Sequence, residues 1–167
     1  MIPPIIIHVL ATMALLCSMS LAPVLPAPQA PSVSFADSSL PEGADTEVEM
    51  LACGIYNEAG GDECSDDTRR YVGDVMLNRV EDSRFPDTLE AVLTAPGQYG
   101  RFSKTGIVWP ERAKNPGEQH AVERAYRIAE ELLSGQHSEL YGEGYVWQAE
   151  FEQGTDGFWQ DGLYFGR

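Results

Sequence analysis

The chain has 167 residues, with 26 acidic against 11 basic side chains and a net charge of −15. That length fits one domain plus a short extra segment. The charge argues against a nucleic-acid partner and against simple electrostatic capture by an anionic wall or membrane.

Met1 to Ala36 carry no charged side chain, and Ile5 to Val24 are almost all apolar. Residues 1–30 therefore read as a signal peptide or a membrane anchor, since about 20 apolar residues can cross a bilayer. No Lys or Arg precedes the run, and no good small-x-small cleavage site precedes the prolines, which leaves an uncleaved anchor open. Pro3, Pro4, Pro23 and Pro26 bracket the run and weigh against a buried core helix. Ala22 to Glu42 is rich in Pro, Ser and Ala without a period, so residues 31–45 complete a solvated linker. The folded domain is expected over residues 46–167, long enough for one core.

Val48, Leu51, Ala52, Ile55 and Ala59 recur at helical spacing, and Gly60-Gly61 is expected to end that helix as a C-cap pair. A second helix starts at the capping Ser65, has Asp66 and Asp67 at its positive end, and ends near Asn78-Arg79-Val80. Its buried face is Val72, Val75, Met76 and Val80. Phe85-Pro86-Asp87 is a turn in which Asp87 can cap a short helix through Leu93. Gln98 to Trp109 shows no period and reads as a structured loop. Ala121, Ala125, Ile128, Ala129 and Leu132 predict a further helix closed by Ser134-Gly135. Tyr141 to Phe165 is aromatic and glycine-rich, with short alternations, and predicts two or three strands. Helices first and a small antiparallel sheet last give an α+β fold.

One residue breaks the pattern. Glu58 lies three residues past Ile55, on the apolar stripe, immediately before the helix ends. Burial disfavours the charged form of a carboxyl, so such a glutamate keeps its proton nearer to neutral pH. A retained proton suits a general acid that protonates the leaving oxygen of a glycosidic bond. The same spacing also describes an ordinary glutamate near a helix end. It supplies no second carboxylate either, and Asp62, Glu63 and Asp74 are candidates by proximity only. Tyr56, Tyr99, Trp109, Tyr145 and Trp147 offer rings for sugar stacking, or for the core.

Cys53 and Cys64 flank Glu58; they can pair in an oxidising compartment or remain free thiols. There is no CxxC, and His8, His120 and His137 lack ligand spacing, so neither a metal nor a cofactor is expected.

The blocks IYNEAGG, VMLNRV, RFPDTLEAVLTAPGQY, VWQAEFEQG and LYFGR, in that order, resemble the catalytic domain of bacterial cell wall hydrolases of the SleB and CwlJ type, the spore cortex-lytic enzymes and their relatives. The resemblance runs from Leu51 to the C-terminus. It implies a helical core related to lysozyme and lytic transglycosylases, and peptidoglycan glycan strands as the substrate. It places the catalytic glutamate of the tyrosine-x-glutamate-alanine element at Glu58. It suggests Tyr56, Asn78, Gln98, Tyr99, Tyr145 and Gln148 as substrate-binding positions, with Arg79 either beside them or bracing the helices. It implies cleavage between N-acetylmuramic acid and N-acetylglucosamine, in which one carboxyl serves as acid and then base because the muramic acid C6 hydroxyl attacks internally. Two alternatives stand beside this reading. One is an N-acetylmuramoyl-L-alanine amidase, disfavoured because most such enzymes hold zinc with histidines and this domain has only His120 and His137. The other is a non-catalytic wall-binding envelope protein.

Overall fold

The computed structural model describes residues 46–167; the expected export or anchor segment and the linker lie outside the described residues. Among the described residues, five α-helices precede a three-stranded sheet: α1 (Thr46–Ala59), α2 (Asp66–Glu81), α3 (Leu89–Thr94), α4 (Phe102–Thr105), α5 (Gln119–Leu133), β1 (Trp147–Ala149), β2 (Phe158–Gln160) and β3 (Leu163–Gly166). Two single 3-10 turns, Glu111–Lys114 and Pro116–Glu118, lead into α5. The sheet is antiparallel in the order β1-β3-β2, so the fold is α+β with a small C-terminal sheet. Among the described residues no helix is long and apolar enough to cross a membrane.

α1 is the central helix. Met50 to Tyr56 are buried without a break, because α2, α3 and α5 all pack against it. A helix covered on every side needs no polar stripe. Its end differs from the expected C-cap: neither Gly60 nor Gly61 is among the residues with positive φ. Gly60 is there for close approach instead, since a Cβ would stand 2.3 Å from the Tyr56 carbonyl oxygen. The connection to α2 is held by Arg69, whose fully buried guanidinium donates to the carbonyls of Cys64 and of Gly61, the latter at 2.9 Å.

Ser65 caps α2 as expected, its hydroxyl accepting from Thr68 N at 3.2 Å. α2 lies tight on α5 at Gly73, where a Cβ would meet Leu132 Cδ1 at 2.3 Å. α3 is capped by Thr88 rather than by Asp87: the Thr88 hydroxyl accepts from Ala91 N at 3.2 Å. The chain after it is more regular than its sequence suggests, because α4 forms around the buried Phe102. α5 buries Ala121, Ala125, Ile128, Ala129 and Leu132, the expected stripe.

In the sheet, Gln148, Phe165 and Phe158 lie opposite one another in one row, and Ala149, Tyr164 and Trp159 form the next row. Phe165 is fully buried while Trp159 is half exposed, so the first row faces the helices and the second faces out. The β2–β3 turn is latched to the start of α2. Asp161 accepts from Ser65 N at 2.7 Å and from the Thr68 hydroxyl at 2.6 Å.

Cys53 and Cys64 do not form the disulfide that the sequence allowed; both are buried free thiols. They meet different surroundings. Glu49 and Arg101 are the charges acting on Cys53, whereas Glu63, Arg69 and Asp161 act on Cys64. Burial pushes the Cys53 thiol up to about 12, with Glu49 adding to the effect.

Candidate active site

Glu58 occupies the last turn of α1 and is partly buried. Asn57 Nδ2 donates to its Oε1 at 2.7 Å. Burial raises the proton affinity of Glu58 above the ordinary glutamate value, and this is the largest influence on it. The Asn57 hydrogen bond, the Arg79 guanidinium and the Gln148 side chain all pull the other way, and Glu150 adds to the rise by like-charge repulsion. The net result is a carboxyl that holds its proton above the usual range, with donors arranged for the ionised form. That suits a group that must be protonated before a reaction and ionised during it.

Three elements converge there. Arg79 comes from α2 and is 3 % exposed; Nε donates to the Val146 carbonyl at 2.7 Å. The guanidinium carbon lies 5.0 Å from the ring centre of Tyr99 and 5.3 Å from that of Phe85. Tyr99 comes from the turn after α3 and is itself buried. Burial pushes its phenol far up, and the charges of both Arg79 and Glu58 act on it, which puts the three groups in one neighbourhood. Gln148 comes from β1, in the row that faces the helices. Glu150 follows two residues on and is exposed.

The other predicted positions lie elsewhere or are already occupied. Tyr56 is fully buried; its hydroxyl donates to Glu118 Oε2 at 2.7 Å, and the Arg112 guanidinium carbon lies 5.0 Å from its ring centre. It has no face left for a sugar. Asn78 uses its amide on the backbone: Nδ2 donates to the carbonyls of Leu140 and Tyr145 at 2.8 and 2.9 Å, and Oδ1 accepts from Gly142 N at 2.8 Å. It ties α2 to the segment before the sheet. Tyr145 lies under the Arg167 guanidinium, at 4.7 Å, and against Phe158. Gln98 is partly exposed, and its backbone N–H closes a turn onto the Ala95 carbonyl at 3.2 Å. Of the six suggested partners, then, Tyr99 and Gln148 are the ones brought to Glu58.

Sequence reasoning did not single out Glu150, the carboxylate whose charge acts on Glu58. Asp62 and Glu63 are exposed, and Asp74 is fully buried, accepting from Ser138 N at 2.7 Å and lying 2.8 Å from His137 Nδ1. The signal for Glu150 was present: it shares strand parity with Gln148, inside the VWQAEFEQG block. Among the described residues no group of three or more His, Cys, Asp or Glu side chains is placed to hold a metal ion.

Comparisons with known proteins bear on the segment from α2 to β2 rather than on this carboxyl. Searches of curated proteins and of solved structures return no match. The family model described as Cell Wall Hydrolase matches residues 64–161. The matched stretch begins after Glu58 and takes in Arg79, Tyr99, Gln148 and Glu150, together with α2 to α5 and most of the sheet. That is more than half of the sequence, and the chain therefore belongs to the Cell Wall Hydrolase family.

Proposed function

We propose that this cell wall hydrolase cuts the glycan strand of peptidoglycan between N-acetylmuramic acid and N-acetylglucosamine, as a lytic transglycosylase with Glu58 as its acid and base. The observation that carries the reading is the placement of Glu58: a partly buried carboxyl at the end of the central helix, its proton affinity raised by burial and provided with donors for its ionised form. Glu58 gives its proton to the bridging oxygen as the bond from C1 of the muramic acid breaks. The C6 hydroxyl of the same sugar then bonds to C1 and returns a proton to Glu58. The products are a 1,6-anhydro end and a free N-acetylglucosamine hydroxyl, and no water is consumed. One carboxyl suffices, because the sugar supplies the nucleophile. The protein would work in the cell envelope or outside the cell, with residues 1–30 exporting or anchoring it and residues 31–45 spacing residues 46–167 from the membrane.

A second reading is favoured by Glu150. A water-using muramidase requires a second carboxylate across the cleft from the acid, and Glu150 is the carboxylate whose charge acts on Glu58. In that case Glu150 would activate the water and the product would end in reducing muramic acid.

The test is a digest of purified peptidoglycan by the full chain, read by mass spectrometry, with Glu58→Gln alongside. Anhydro ends that disappear in the variant support the transglycosylase. Reducing ends that need both Glu58 and Glu150 support the muramidase. Free peptides with intact glycan would overturn both.

A further inference from the structure

Arg79 is an expensive residue to bury. A guanidinium stays charged at any accessible pH, and taking a charge out of water without a close partner costs several kcal/mol. Arg79 is 3 % exposed, yet among the described residues no carboxylate lies at salt-bridge distance from it. Its anchoring is modest: Nε donates to the Val146 carbonyl, and the rings of Phe85 and Tyr99 cover its faces. Nη1 has no hydrogen-bond partner, and neither do two further buried polar atoms brought to the same site, the Tyr99 hydroxyl and Gln148 Oε1. Bracing alone does not explain the charge. A neutral donor would satisfy Val146, and an apolar chain would fill the slot between the rings.

The groups facing Glu58 are Asn57 beside it on α1, Arg79 from α2, Tyr99 from the turn after α3, and Gln148 with Glu150 from β1 and the bend that follows. In that set Arg79 is the cation.

We propose that Arg79 is a positioning residue for Glu58, a fixed positive charge held out of direct contact that steadies the carboxylate between giving up one proton and taking the next. This rests on the reading of Glu58 as the acid and base. The separation matters to the argument. A direct ion pair would keep Glu58 ionised and end its use as an acid. No positive charge at all would leave the buried carboxyl protonated and a poor base. Val146 and the two aromatic rings hold the guanidinium in between. Removing the charge raises the proton affinity of Glu58, so the alkaline limb of the activity profile moves to higher pH. The step that needs the carboxylate slows.

The experiment is a carboxyl carbon NMR titration of the full chain in wild type, Arg79→Lys, Arg79→Gln and Arg79→Met, with Glu58→Gln used to assign the resonance. Arg79→Met keeps an unbranched chain between the rings should Arg79→Gln lose its fold. The expected result is a Glu58 midpoint that moves to higher pH in the neutral variants and returns towards wild type in Arg79→Lys, with the alkaline limb of glycan cleavage following it. An unmoved midpoint in either folded neutral variant overturns the proposal. So does an equal shift in Arg79→Lys, which would show that shape rather than charge matters. The titration needs no substrate, so it is independent of the glycan reading, whose own failure would appear as an active Glu58→Gln.

Discussion

Tyr56 and Glu58 leave the same turn of α1 in different directions. The Tyr56 hydroxyl donates to Glu118 Oε2 at 2.7 Å, below the surface, while Glu58 receives Asn57 Nδ2 at 2.7 Å and meets Arg79 and Gln148. Two residues along a helix amount to about 200° of rotation, so the two side chains cannot serve one groove. Tyr56→Phe is expected to cost about 0.5–1.5 kcal/mol of stability, the worth of a hydrogen bond, and to leave KM for glycan unchanged. Urea melts and digestion kinetics check this together. A raised KM at unchanged stability would return Tyr56 to the substrate.

Glu58 binds its proton more tightly in the folded chain than in the unfolded one, chiefly because it is buried. The sign follows from that. Its contribution to stability is fully present below the unfolded value, 4.5, and is lost as pH rises through the higher folded value. As pH rises through that folded value, the wild type takes on a partly buried charge that Glu58→Gln does not. Thermal melts should therefore show the variant gaining up to a few degrees on the wild type between pH 4 and a pH above the folded value of Glu58, about the shift that 1 kcal/mol gives a domain of this size. An advantage that is equal at both pH values would show that desolvation of the charge is not its source.

Asn78 bridges α2 to the backbone of Leu140, Gly142 and Tyr145. Asn78→Ala leaves those groups without their partner and should cost about 2–4 kcal/mol, several times the worth of one hydrogen bond. Chemical denaturation measures it. A small loss of stability with a large loss of glycan affinity would mean that Asn78 contacts substrate.

At Gly73 the Leu132 side chain of α5 packs down onto the α2 backbone, and an added methyl would overlap its Cδ1. Gly73→Ala should destabilise the fold by about 1–3 kcal/mol through overpacking, despite the better helix propensity of alanine. A stabilised variant would show that Leu132 moves aside freely.

Asp161 is exposed, and its hydrogen bonds to Ser65 and Thr68 hold its carboxyl down to about 2. The latch it forms is present above the ordinary aspartate value, 3.8, and is lost as pH falls through about 2. Asp161→Ala should speed amide exchange at Ser65 and across the β2–β3 turn while leaving α5 unchanged. Uniform acceleration across the whole domain would instead make the latch part of global stability.

The sequence showed most where one side chain's surroundings are local. The stripe of α5 and the Ser65 cap needed only their own neighbours. α1 was harder to read, because it is covered on all sides and carries no contrasting polar face. The cap of α3 sits at Thr88 rather than Asp87, a one-residue choice that turns on which side chain reaches Ala91 N. At the site, Glu58 stood out as a carboxylate out of pattern. Its partners Arg79, Tyr99, Gln148 and Glu150 come from three distant segments, and helical or strand periodicity does not register one segment against another. The roles of Asn78 and Arg69 were hidden for the same reason, since both act on backbone carbonyls that no sequence pattern displays.

The latch between Asp161 and the start of α2 also sets an order of assembly. Glu58 and Ser65 come early in the folded domain, whereas Gln148 and the β2–β3 turn come far later, Asp161 lying 96 residues after Ser65. A chain synthesised only as far as α5 thus carries Glu58 without Gln148 and Glu150, two of the groups that act on it. Contacts so distant in sequence close late in folding. A molecule truncated before Asp161 would lose the latch to α2, and one truncated before Gln148 would also leave Glu58 without two of the groups that act on it.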